Sequence, residues 1–89
     1  MCVEVFPWIT PDDYAAFRRL IGADMPGTIT EWLERQRREI REIVGAGKNV
    51  KTIEVGSAEF ARFLHSRRAP ANIASLRNFA IEKDAGQIF

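Results

Sequence analysis

The chain has 89 residues, 46% of them hydrophobic and 28% charged, with a net charge of +1, one cysteine and one histidine. These values are those of an ordinary folded domain, and the length predicts a single domain over 1–89. They exclude an intrachain disulfide and an intrachain Cys/His zinc site, and they give no reason to expect a polyanionic partner.

The opening "MCVEVFPWITPDD" has neither the basic region nor the apolar run of a signal peptide, and no glycine follows Met1 for acylation. No apolar stretch approaches the about 20 residues of a membrane helix. With Cys2 as the only thiol, the chain reads as a cytoplasmic protein. Within that opening, "CVEVF" (2–6) alternates and is rich in β-formers, which predicts a strand halted by Pro7. Val3 and Val5 point one way, and Cys2, Glu4 and Phe6 the other.

"TPDDYAAFRRLIG" carries helix punctuation: Thr10 as N-cap, Pro11 in the first turn, and Asp12 and Asp13 where the helix dipole favours acids. Tyr14, Phe17, Leu20 and Ile21 form its apolar stripe, Gly22 fits its end, and Trp8 and Ile9 can staple onto its first turn. A second helix begins with a capping box from Thr28 to Glu31 and runs to about Val44, where Gly45 and Gly47 stop it. Ile29, Leu33, Gln36, Ile40 and Ile43 follow the steps of a heptad seam, with Trp32 and Val44 widening the stripe. Two heptads are too few for a coiled coil, so the expectation is an amphipathic helix on a small core.

"VKTIEV" (50–55) is the better strand. Ser57 then reads as the N-cap of a third helix ending near Arg67, with Phe60, Phe63 and Leu64 inward. After the break at "RRAP", a fourth helix over 71–84 places Ile73, Leu76, Phe79 and Ala80 on one side. The fold class is therefore α+β: four helices and a two-stranded sheet, in the order strand, helix, helix, strand, helix, helix. The connection between the strands admits either orientation, and antiparallel pairing is the expectation.

Side chains that could carry chemistry are few. His65, near the end of the third helix, has the placement of a residue favourable to the helix dipole. Asp12 and Asp13 sit where helix stability alone wants acids. "GAGKN" (45–49) lacks the length of a phosphate loop and precedes a strand instead of following one. No catalytic group, cofactor or metal site is predicted.

The leading expectation is a non-enzymatic interaction domain that self-associates. A two-stranded ribbon is marginal alone, and a chain of this size buries only about 60–65% of its unfolded surface. Contact between identical second strands would make a four-stranded sheet, with Val50, Thr52 and Glu54 at the interface. The helical seam at Leu33, Gln36 and Ile40 could instead meet its copy. The alternative expectation is a small DNA-binding regulator using the helices over 57–67 and 71–84, with Arg67, Arg68 and Arg77 on phosphate.

Overall fold

The computed structural model describes residues 3–86. Among these, two strands and four α-helices run in the order β1 (Val3–Trp8), α1 (Tyr14–Ile21), α2 (Ile29–Gly45), β2 (Asn49–Glu54), α3 (Ser57–Arg67) and α4 (Ile73–Asp84). This is the expected α+β order. Cys2 lies outside the described residues.

The strands pair in parallel, from Val3 opposite Asn49 to Trp8 opposite Glu54, which corrects the antiparallel expectation. The reason is helix length. β1 advances about 20 Å at the rise of a strand. The 17 residues of α2 span about 25 Å at the rise of a helix, enough to carry the chain back to the end where β1 began. With the 8 residues of α1 and the loops, the connection has the crossover length that parallel neighbours need. β1 also runs through Pro7 instead of stopping there, because Pro7 occupies an outward-facing position that needs no N–H.

The core is aromatic. Phe17, Phe60, Phe63 and Phe79 are buried together with Ile9, Tyr14, Met25, Trp32, Val55, Leu76 and Ala80. Phe60 meets three other rings, with centroids 5.8 Å from Phe17, 6.5 Å from Phe63 and 5.8 Å from Phe79. The inward positions expected for α3 and α4 are thus the ones buried, with Leu64 and Ile73 at the margin. Tyr14 reaches out of the core to donate to the Pro26 carbonyl at 2.5 Å. Burial pushes the Tyr14 phenol above its usual range, against the opposing pull of Arg18 and Arg35.

Two helix starts differ from expectation. Pro11–Asp13 forms a single 3-10 turn ahead of α1, and the Thr10 side chain makes no capping bond. At α3 the N-cap is Gly56, and Ser57 is the first helical residue. Having no side chain, Gly56 cannot serve the free N–H groups of that turn. Asp13 does so from 44 residues away: its Oδ2 accepts from Ser57 N at 2.7 Å and its Oδ1 from Ser57 Oγ at 2.6 Å. Of the expected capping box of α2 the forward half is present, Glu31 N donating to Thr28 Oγ1 at 3.3 Å, while the Glu31 carboxylate accepts from the Thr28 hydroxyl at 3.1 Å.

In α2 the buried face is centred on Trp32 and Gln36, one turn apart, while Ile29, Leu33, Ile40 and Ile43 are half-buried and Val44 is exposed. The stripe is therefore rotated from the expected seam toward Trp32, the side chain with most apolar surface to bury. Among the described residues no helix is long and apolar enough to cross a membrane.

Candidate interaction surface

A parallel ladder alternates: residues whose N–H and C=O face the neighbouring strand are interleaved with residues whose groups face away. Val55 N donates to Trp8 O at 3.0 Å beside the Trp8–Glu54 pair. That bond sets the phase for the whole sheet. Glu4, Phe6 and Trp8 turn toward β2, and Lys51 and Ile53 toward β1. Val3, Val5 and Pro7 then face outward on one side of the sheet, and Val50, Thr52 and Glu54 on the other.

The outer edge of β1 is closed at Pro7, while Val3, further along it, is 49% exposed. α4 packs mainly against this strand. Pro7 has no N–H to offer, and its carbonyl accepts a hydrogen bond from Gln36 Nε2 at 2.8 Å. Pro7 and Gln36 are both buried. Phe6 is buried too, and the Arg77 guanidinium lies 4.8 Å from its ring centroid.

The outer edge of β2 is open. Thr52 and Glu54 are exposed and Val50 is half-buried. The Glu54 carbonyl accepts from Lys83 Nζ at 2.9 Å, in an exposed setting. Among the described residues no hydrogen bond occupies the outward groups of Val50 and Thr52. On the same face of the sheet as Thr52, Trp8 is 43% exposed. Of the residues expected to staple onto the first helix, only Ile9 is buried.

The structure separates the residues singled out in the sequence. Val50, Thr52 and Glu54 share the open edge. Gln36 is engaged inside the chain on Pro7, and Leu33 packs against the core, leaving Ile40 half-buried further along α2. Arg67 is ion-paired with Glu82 and lies 5.5 Å from the Phe63 ring centroid. Arg77 is ion-paired with Glu39 on α2. Arg68 is exposed and ends α3 in the left-handed conformation, φ 51°. The three arginines thus belong to three local arrangements.

Three contacts escaped sequence reasoning: Gln36 to Pro7, Asp13 to Ser57 and Lys83 to Glu54. Only the first had a signal, a glutamine in phase with an apolar stripe, which needs a buried partner. Two further acids are occupied. Glu59 accepts from Lys83 at 3.0 Å, and Asp84 pairs with Lys51 at 2.5 Å. Among the described residues no group of three or more His, Cys, Asp or Glu is placed to hold a metal ion. Comparison of the chain with models of protein families, with curated proteins and with solved structures finds no match.

Proposed function

We propose that the protein is a non-enzymatic cytoplasmic interaction module that works as a homodimer, two copies joining their β2 edges into one four-stranded sheet. The observation that carries this reading is the contrast between the strand edges. The outward N–H and C=O groups of Val50 and Thr52 form an unprotected template for another strand, whereas β1 has none to offer at Pro7. An antiparallel pairing about a two-fold axis at Thr52 sets Thr52 opposite its own copy and Val50 opposite Glu54. Such a contact is self-complementary, the commonest form of association between identical chains.

The placement of charge supports this reading over duplex binding. Arg67 and Arg77 are each neutralised by a carboxylate, and a duplex interface of six to ten phosphate contacts needs free cations on one face. The engagement of Asp13, Glu39, Glu59 and Asp84 in caps and ion pairs supports a structural role for them over a catalytic one.

Static light scattering at micromolar concentration tests the dimer, and the expected mass is twice that of the chain. A monomer mass overturns the proposal. Thr52→Pro removes one outward donor and is expected to give monomers that keep their helical circular dichroism. A dimer that survives Thr52→Pro and dissociates with Leu33→Glu moves the interface to α2.

A further inference from the structure

β1, α2 and α4 meet around a narrow cleft of about 20 Å³. Phe6, Trp32, Gln36 and Ile73 line it, and the partly exposed Glu39 and Arg77 stand at its rim. The ion pair between those two, with Arg77 also over the Phe6 ring, holds α4 to α2 across the opening.

Trp32 and Gln36 are i,i+4 neighbours on α2, so their side chains lie side by side. They are 6% and 7% exposed. Among the described residues Trp32 Nε1 has no acceptor and Gln36 Oε1 has no donor. The orientation of the amide is settled by its other end: the Pro7 carbonyl can only accept, so the atom facing it is Nε2. One buried donor and one buried acceptor therefore remain on adjacent side chains lining one cavity. Leaving either unmatched costs free energy that native structures almost always avoid.

The complement of this pair is a group that accepts from the indole N–H and donates to the amide oxygen. A hydroxyl does both, whereas a carboxylate or phosphate oxygen offers no proton to Gln36 and an ammonium no lone pair to Trp32. Size narrows the choice further. A water needs about 10–15 Å³ of such space and at least two polar partners, and the cleft supplies both. We propose that this cleft is a binding site for a single hydroxylic ligand, a buried water that bridges Trp32 Nε1 and Gln36 Oε1. The bridge completes a chain of hydrogen bonds from indole to water to Gln36 to the Pro7 carbonyl. It makes the water a component of the closure of the β1 edge.

The test is water cross-relaxation on the ¹⁵N-labelled wild-type protein, whose two tryptophans supply their own control. The Trp32 indole proton is expected to show nuclear Overhauser and rotating-frame cross-peaks to water of opposite sign, the signature of a water that tumbles with the protein. The exposed Trp8 indole is expected to show the short-lived kind. In Gln36→Leu, which keeps the helix and removes the acceptor, the long-lived Trp32 cross-peak should vanish while the spectrum stays dispersed. A Trp32 indole without a long-lived water cross-peak in the wild type overturns the proposal, whether or not the variant folds. Cross-peaks from that indole to carbon-bound protons of a co-purified molecule also overturn it, by giving the cleft to an organic alcohol.

Discussion

The outer edges of β1 and β2 start from the same chemistry, alternating N–H and C=O groups facing away from the partner strand, and end in different states. On β1 the last of the outward residues is a proline, its carbonyl meets a buried glutamine, and α4 packs against the strand. On β2 Thr52 and Glu54 are exposed and Val50 is half-buried, and among the described residues Lys83 reaches the edge, at the Glu54 carbonyl. A sheet of two strands has no interior strand, so every edge position is either covered by the chain itself or left as a site for another. β1 shows how the chain covers one at Pro7, and the contrast is why the proposed assembly surface is β2.

The largest effects should separate the two ends of one strand face. Phe6 and Trp8 point to the same side of β1, the first 2% exposed and the second 43%. Phe6→Ala should cost about 3–5 kcal/mol in urea unfolding, measured below the concentration at which chains associate. Trp8→Ala removes a side chain that keeps much of its surface in water and should cost clearly less than Phe6→Ala. Equal losses from the two substitutions would mean that β1 is not covered in the asymmetric way described.

Next in size is the closure itself. Gln36→Leu preserves the volume on α2 and takes the donor from the Pro7 carbonyl, which is then buried without a partner. The expected cost is about 1–3 kcal/mol. Arg37→Ala, on the exposed neighbouring position, should stay within about 0.5 kcal/mol. A Gln36→Leu variant as stable as the wild type would remove the hydrogen bond from any account of the β1 edge.

Much of this contrast was half-written in the sequence. Strand and helix identities followed from local signals: the alternation in "VKTIEV", the capping box at Thr28 and Glu31, the glycines after α2. Gln36 was visible as a polar residue in an apolar stripe that needed a partner, yet nothing local named Pro7, which lies 29 residues away. Strand direction was hidden for a similar reason. It depends on how far α1 and α2 travel relative to β1, a sum over the whole connection. Ile40 looked central to α2 by heptad spacing and is half-buried, because the bulk of Trp32 turned the helix to bury itself. Asp13 read as a local helix acid and instead caps α3 across the fold, since Gly56 left that turn without a cap of its own. Pattern reports the needs of a side chain, and tertiary contact decides what meets them.

The smallest expected effect is at Lys83, and it is the sharpest test of the comparison because it mirrors Gln36. Both side chains donate to an outward strand carbonyl, Gln36 to Pro7 at 2.8 Å and Lys83 to Glu54 at 2.9 Å. The difference is solvent. Pro7 is buried, so its carbonyl has only Gln36, whereas Glu54 is exposed and water can replace the ammonium. Lys83→Met should therefore cost no more than about 1 kcal/mol, with most of that from the loss of the Lys83–Glu59 ion pair at the surface. The same substitution should leave dimerisation intact or tighten it. In the two-fold pairing the Glu54 carbonyl accepts from Val50 N of the second copy, and removing Lys83 frees that oxygen of a competitor. Analytical ultracentrifugation across a concentration series, run beside urea unfolding of the same protein, reads both effects. A stability loss as large as that of Gln36→Leu would show the β2 edge to be guarded as firmly as β1, and the contrast between the edges would no longer hold. Weaker association in Lys83→Met would place the contact elsewhere than the Val50–Glu54 edge.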